Sequence, residues 1–114
     1  MTEYFNLSRQ DFESSTSSVF KELLKDDVFT DVTLACQDNE QMRAHKVILS
    51  SCSSFFRNIL VNNPKEALVI YLKGIRMTEL NAIMRFMYLG ETQVNQDDLQ
   101  EFMVAAKGLE ISGS

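Results

Sequence analysis

The sequence predicts an α+β domain in which helices are the majority. Segments with the alternate-residue periodicity of strands are separated by longer segments with helical periodicity. The chain has 114 residues, which fits one domain. Hydrophobic residues make up 45% of it and charged residues 24%, well mixed, which is typical of a packed core and not of disorder. The predicted order is strand, helix, hairpin, helices, strand, helix, strand, helix.

The first predicted strand is short and stands apart from the others. It covers residues 4–7, with Phe5 and Leu7 on one side. A strand this short is not stable alone, and no second strand follows it closely along the chain. We therefore expect it to need a partner chain, and exchange of the strand between identical protomers is a low-cost solution.

Residues 11–27 predict an amphipathic helix, although their serine-rich middle has poor helix propensity. Apolar residues recur at helical spacing on both sides of that middle, which favours a helix over the alternative, a linker. The apolar positions are Phe12, Val19, Phe20, Leu23 and Leu24. They cover more than one stripe, so we expect part of this surface to face a partner.

The middle of the chain predicts a hairpin followed by two helices. Residues 31–36 alternate, with Val32, Leu34 and Cys36 on one face, and residues 41–45 form the second strand. Helical spacing starts at residue 46. Ser53 is expected to break this stretch by capping a second helix, and Pro64 to end it.

The second half predicts a strand and two longer helices. Residues 68–72, LVIYL, are almost all apolar, which is typical of a buried strand. Residues 78–89 have the most regular helical periodicity, and Gly90 is the expected stop. A short strand at Gln93 and Val94 precedes a helix over residues 96–107, with Asn95 as its cap and Gly108 as its end.

Charge and hydropathy exclude several function classes. The net charge is −5, with 11 Lys and Arg against 16 Asp and Glu, so the cationic surface that nucleic acid requires is missing. No apolar run approaches the ~20 residues of a membrane span, and the N-terminus lacks the pattern of a secretory signal. We therefore predict no direct nucleic-acid binding, no membrane partner and reduced thiols.

Cys36, His45 and Cys52 are the residues that a metal or catalytic site would use. Zinc usually takes four protein ligands in a structural site, or three and a water in a catalytic one. Here a fourth ligand could only be a carboxylate far along the chain, because no further Cys or His exists. A catalytic Cys–His pair needs an exposed, activated thiol, whereas both cysteines fall on apolar faces. His45 lies at a strand-to-helix corner, where its ring can bond a backbone group. We predict structural roles for all three, no metal or cofactor, and no enzymatic activity.

Several motifs then stand in a familiar order: FTDVTLACQDNEQMRAHKVILSSCSSFF, an NP-containing loop, VIYLKGI and IMRFMYLGE. Together they resemble the BTB/POZ domain over nearly the whole chain, and the opening FNL is similar to the tramtrack group of insect BTB domains. The resemblance implies a mostly helical fold with a short three-stranded sheet. It also implies a single domain over residues 1–114, with the strand and dimerisation helix in 1–27 and the core in 28–111.

The same resemblance implies a protein–protein interaction module that forms an intertwined homodimer or a larger assembly. In such dimers the first strand joins the partner's sheet and the first helices pack together. The family's charged pocket at the dimer centre maps onto Asp31 and Lys46, and His45 falls on a structural histidine. The predicted dimer interface comprises Phe5, Leu7, Phe12, Val19, Phe20, Leu23, Asp31 and Lys46.

Two function hypotheses follow from the resemblance. In the first, the chain is the oligomerisation domain of a nuclear transcription or chromatin regulator, whose partners are itself, other BTB domains and corepressor or chromatin proteins. In the alternative, it is a substrate adaptor for a cullin-type ubiquitin ligase. Cullin-binding members often carry a hydrophobic-x-Glu motif in the loop before the strand, and here Pro64 stands two residues before Glu66. In the full-length sequence, paired Cys and His residues at zinc-finger spacing after residue 114 would favour the first hypothesis. Kelch-like repeats there would favour the second. Whether Gly113 and Ser114 are native is left open.

Overall fold

The computed structural model describes residues 2–8 and 14–112, with side chains in the first helix described from residue 19 onward. Within these described residues, five strands and five helices follow one another in the predicted order. They are β1 (Tyr4–Ser8), α1 (Ser14–Asp26), β2 (Val32–Cys36), β3 (Gln41–Ala44), α2 (Lys46–Cys52), α3 (Ser54–Asn62), β4 (Val69–Leu72), α4 (Met77–Leu89), β5 (Glu91–Asn95) and α5 (Leu99–Gly108). A 3-10 turn over Gln96–Asp98 leads into α5. Phe12, placed on the predicted helix, lies outside the described residues.

The predicted three-stranded sheet is present, with β2 between β3 and β4. β2 runs antiparallel to β3, with Val32 opposite Ala44, and parallel to β4, with Leu34 opposite Ile70. The alternation in β2 turns Val32, Leu34 and Cys36 into the core, because successive side chains of a strand point to opposite faces.

The helices cover this sheet and end where the sequence predicts. Ser53 separates α2 from α3. Its hydroxyl accepts a hydrogen bond from the Phe56 N–H at 3.0 Å and donates one to the Leu109 carbonyl at 2.5 Å. The α4 helix ends at Gly90, whose φ of 81° suits a glycine in the left-handed region. The largest fully buried side chains include Phe56, Tyr88 and Phe102. They place the centre of the core between α3, α4 and α5.

The first strand has a partner within its own chain. β1 pairs antiparallel with β5, with Phe5 opposite Val94 and Leu7 opposite Thr92. The strand that was expected to need a partner chain thus has one neighbouring strand within its own chain. The predicted strand at Gln93 and Val94 is longer than expected and supplies the missing edge, since a second strand can satisfy the backbone groups that a lone strand exposes. Exchange of β1 between protomers stays a prediction.

Among the residues that the structure describes, no helix combines the length and apolarity that crossing a membrane requires.

Candidate functional site

His45 lies at the corner between β3 and α2 and is buried. Its Nε2 is 2.5 Å from the Val28 carbonyl oxygen, and its Nδ1 is 2.7 Å from the Tyr88 hydroxyl. A carbonyl oxygen only accepts, so Nε2 carries the proton and Nδ1 accepts from the Tyr88 hydroxyl. That hydroxyl also accepts from the backbone N–H of His45 at 2.9 Å. These three contacts lock the β3–α2 corner onto α4 and onto the loop before β2.

Tyr88 is one of the most deeply buried residues of the chain. Burial raises the pKa of its hydroxyl well above the usual range, because the phenolate would be poorly solvated there. The hydroxyl therefore stays protonated and can donate a hydrogen bond to Nδ1 of His45. The contacts between Tyr88 and His45 are those of packing residues.

Both cysteines are buried on the faces where the sequence places them. Burial raises the pKa of the Cys36 thiol to about 11, and the Asp38 carboxylate adds to the effect. A thiol with a raised pKa is a poor nucleophile and a poor metal ligand at neutral pH. Within residues 2–8 and 14–112, no group of three or more His, Cys, Asp or Glu could hold a metal ion.

The side chain of Asp31 contacts the backbone of Lys46. The Asp31 carboxylate accepts a hydrogen bond at 2.7 Å from the backbone N–H of Lys46. His45 is the N-cap residue of α2, but its side chain makes no capping hydrogen bond. Asp31, which is distant along the chain, caps the helix in its place. The Lys46 ammonium donates at 2.7 Å to the Lys65 carbonyl. Asp31 is exposed in the single chain, and Lys46 is half-buried.

The remaining predicted interface residues fall into two groups. Phe20 and Leu23 on α1, and Leu7 on β1, are half-buried and pack against the core. Phe5 is 37% exposed and Val19 is 59% exposed. The described part of α1 therefore serves the core on one side and leaves Val19 in solvent on another.

Three further apolar residues are exposed near Asp31 and Lys46, and sequence reasoning missed them. Val28 and Phe29 lie in the loop between α1 and β2, and Val47 follows Lys46 in α2. They are 43%, 83% and 74% exposed. The available signal was the pair Val28-Phe29 in a connecting segment, where turn-forming polar residues are usual.

A separate cavity of about 980 Å³ lies between α3, β4 and α5. Phe55, Tyr71 and Val104 line it, together with Lys73 and Glu101. Tyr71 projects from β4, an edge strand of the three-stranded sheet, and is exposed. The almost wholly apolar residues 68–72 predict a well-buried strand, so the sequence predicts no surface here. In fact Val69 and Tyr71 face outward while Ile70 and Leu72 face the core.

Comparison with known proteins agrees with this fold. The family model of the BTB/POZ domain matches residues 16–114. The chain is 40% identical over 112 residues to the Broad-complex core protein of Drosophila melanogaster, covering 98% of this chain and 15% of that protein. It is 36% identical to the alpha isoform of protein tramtrack from the same organism, over 98% of this chain and 14% of that protein. The chain thus spans only about a seventh of these relatives.

A shorter relative and a solved structure extend the comparison. Longitudinals lacking protein-like, also from Drosophila melanogaster, is 39% identical, and the match covers 97% of this chain and 87% of that protein. The BTB domain of human gigaxonin superposes with a TM-score of 0.72 at 26% identity, covering 87% of this chain and 83% of that one. The tramtrack-type resemblance predicted from the motifs is confirmed. The chain belongs to the BTB/POZ domain family of protein–protein interaction modules.

Proposed function

We propose that this domain joins copies of a nuclear transcription or chromatin regulator into homodimers or larger assemblies. The observation that carries the proposal is the set of exposed apolar side chains around the Asp31–Lys46 contact and on α1. Soluble monomers rarely gather such side chains on one surface, since contact with water is unfavourable for them. A partner that covers this surface removes that cost.

Self-association is the first part of the proposal. An interface of an obligate homodimer buries about 2,000 Å² or more in total. Sedimentation velocity over nanomolar to micromolar concentrations measures it directly. We expect a dimer or a larger species at micromolar concentration. A folded 13.0 kDa species across that whole range contradicts the proposal.

Strand exchange is the second part, and the observed register of β1 and β5 makes it testable. Asn6 and Gln93 lie opposite each other and are exposed. If β1 pairs with the partner's β5, a chain with Asn6→Cys mixed with a chain with Gln93→Cys forms a disulfide between chains under mild oxidation. Pairing within one chain gives that disulfide only in the double variant, as a cross-linked monomer. Asn6→Cys mixed with Lys107→Cys is the control, and Lys107 lies on α5, outside the β1–β5 ladder.

Self-association and strand exchange together assign different roles to two segments of the domain. We assign residues 1–27 to self-association and residues 28–111 to the core, with Cys36, His45 and Cys52 as packing residues of that core. The predicted interface, Phe12 included, belongs to the proposal. No cofactor is part of it, and direct contact with nucleic acid is left to other parts of a longer protein.

The nuclear role rests on the group of relatives, which includes Broad-complex core protein, protein abrupt and protein tramtrack. Other BTB domains, corepressors and chromatin proteins are the further partners that we propose. Imaging of the full-length protein in its own cells, with affinity purification of its partners, tests this role. We expect nuclear signal and chromatin-associated partners. Cytoplasmic signal with stoichiometric cullin contradicts the proposal and favours the adaptor hypothesis.

A further inference from the structure

The outer edge of β4 has no neighbouring strand among the residues that the structure describes. β4 lies at one end of the three-stranded sheet, with β2 on its inner side. The Thr33 N–H of β2 donates to the Leu68 carbonyl at 3.1 Å. Backbone groups of successive residues in a strand point to opposite sides, so those of Val69 and Tyr71 point away from β2. These groups are open to an added strand.

The two edges of this sheet differ in charge. On the β3 edge, the Arg43 guanidinium lies against the sheet and donates to the Thr33 hydroxyl at 2.7 Å and to the Thr30 carbonyl at 3.2 Å. A charged residue on an edge strand discourages pairing with a further strand. The β4 sequence, VIYL, contains no charged residue and no proline, and Val69 and Tyr71 are exposed. Of the two edges, that of β4 is the one suited to pairing.

The cavity between α3, β4 and α5 offers space for the side chains of such a strand. Phe55, Leu72 and Val104 are among the residues of its wall, which is largely apolar. Every second side chain of a strand added along β4 points to the face that the helices cover, where Ile70 and Leu72 also point. Those side chains can enter the cavity, and the others lie beside Tyr71 on the outer face.

Two charges on the cavity rim complement an added strand. Lys73 follows β4 and Glu101 lies on α5, and neither forms a salt bridge with another described residue. Arg76, which lines the same cavity, is already paired with Glu79 at 2.7 Å. Opposite charges on neighbouring strands attract each other. An acidic residue near Lys73 and a basic residue near Glu101 therefore suit the rim.

A second copy of β4 lacks the side chains that this cavity can take. The residues that it turns to the helix-covered face, Ile70 and Leu72, are buried in its own core. A helix cannot use the open backbone groups of the edge, because its own backbone groups are bonded within the helix. The occupant must bring an extended backbone together with free apolar side chains.

We propose that the edge of β4 and the cavity beside it bind an extended segment of a different protein. The segment alternates apolar and polar residues, with an acidic residue near Lys73 and a basic residue near Glu101. In strand addition, hydrogen bonds of the main chain supply affinity and pockets for alternate side chains supply specificity. This surface lies outside the interface predicted from the sequence, and the inference does not depend on self-association.

Hydrogen exchange of the parent protein measures the edge directly. The probes are synthetic peptides that alternate threonine with valine, leucine, isoleucine or phenylalanine, with glutamate at one end and lysine at the other. Without peptide, the amides of Val69 and Tyr71 should exchange rapidly, whereas those of Ile70 and Leu72, which face β2, should be protected. At about ten times the dissociation constant of a binding peptide, exchange at Val69 and Tyr71 should slow about tenfold.

Methylation of the peptide backbone separates strand addition from apolar contact alone. Methyl groups on every second amide remove the donors along one edge of the peptide strand. One of the two alternately methylated versions should lose binding, and the other should keep it, because only one edge of the peptide faces β4. Equal binding of both versions overturns the inference.

Val104→Asp and Val61→Asp form a matched pair. The two valines are 62% and 69% exposed on α5 and α3, and only Val104 lines the cavity. Val104→Asp should weaken peptide binding by about tenfold or more, because a carboxylate replaces part of the apolar wall. Val61→Asp should stay within about twofold of the parent. Equal binding by the two variants, with the circular dichroism of the parent, overturns the inference. Val104→Thr gives the same comparison if Val104→Asp does not fold.

Two further results also overturn the inference. Amides of Val69 and Tyr71 that are protected without peptide, and lose that protection on dilution, show a second copy at the edge. Amides that no peptide protects show that the edge takes no strand. Neither result contradicts the proposed self-association, which sedimentation of the parent tests. A monomeric parent that binds the peptides contradicts the proposed self-association and supports this inference.

Discussion

The two sheets of this domain differ in how completely their own chain buries them. In the three-stranded sheet, β2 has strand neighbours on both sides, and Val32 and Leu34 are fully buried. In the two-stranded ribbon, β1 has one neighbour, and Phe5 stays partly exposed. The stability of the first sheet is decided within the chain. The apolar surface of the ribbon is left open to a partner.

The distance along the sequence between paired strands explains part of this difference. β2 and β3 are joined by a short turn, so they pair as soon as the turn forms. β1 and β5 lie at opposite ends of the chain, and their pairing requires closure of nearly the whole domain. A strand brought in from a second chain can offer β1 the same register. We therefore expect the ribbon to be the part of the fold in which an identical copy most easily supplies a strand.

The largest effect is expected from the central strand. Leu34→Ala removes a fully buried side chain and leaves a cavity, which should lower the free energy of unfolding by about 3 kcal/mol or more. Phe5→Ala in the ribbon should cost about 1 kcal/mol or less at a concentration where the chain is monomeric. Urea denaturation of both variants at equal concentration measures the contrast. Equal losses contradict the distinction between the two sheets.

Removal of the Tyr88 hydroxyl should have the next largest effect on the free energy of unfolding. Tyr88→Phe keeps the ring but leaves Nδ1 of His45 and the backbone N–H of His45 without the partner that serves both. A buried polar group without a partner costs about 1–3 kcal/mol, so we expect a loss of about 2 kcal/mol in urea denaturation. Tyr71→Phe, on the exposed face of β4, is the control and should behave like the parent. A Tyr88→Phe variant as stable as the parent shows that the corner does not depend on this hydroxyl.

Alkaline pH should weaken the same core. Burial raises the pKa of the Cys36 thiol from 9.0 to about 11 and also raises the pKa of the Tyr88 hydroxyl. A group with a raised pKa holds its proton more tightly in the folded state, so the folded state loses stability as pH rises. Stability should be level with respect to these groups below pH 9 and should decline between pH 9 and 11. Cys36→Ala should flatten the first part of that decline, as thermal unfolding across this range can measure. A decline of the same slope in the parent and Cys36→Ala rules out this thiol as its cause.

The local periodicity of the sequence predicted the helices and strands of this fold. It could not predict the parts of the site that depend on contacts between residues far apart along the chain. Alternation in β2 and helical spacing in α4 are properties of neighbouring residues, so the sequence shows them directly. The pairing of β1 with β5 and the bond between His45 and Tyr88 join residues far apart along the chain. No periodicity reports such contacts. Phe29 was missed for a different reason, since its exposure depends on a backbone conformation that aromatic residues rarely adopt.

The smallest effect on the free energy of unfolding is expected at Asp31. Its variants distinguish the role of the carboxylate as a helix cap from its role as a charge. In the single chain Asp31 is exposed, and its carboxylate caps the first N–H of α2. Asp31→Ala removes the cap and should cost about 1 kcal/mol in unfolding. Asp31→Asn keeps a side-chain oxygen acceptor, so its folding cost should be smaller still, and Lys46→Gln should cost little because it keeps its backbone N–H.

We expect the charge at Asp31 to act on self-association instead. If the dimer places Asp31 against Lys46 of a second copy, the asparagine variant loses that attraction and leaves an ammonium without its counter-charge in a desolvated contact. Asp31→Asn should then raise the dimer dissociation constant while the urea midpoint of the monomer is nearly unchanged. Sedimentation at two salt concentrations checks the cause, because an ion pair that is partly open to solvent weakens as salt rises and a lost cap does not. Equal dissociation of the parent, Asp31→Asn and Lys46→Gln removes both residues from the interface and leaves Asp31 with its role as a cap alone.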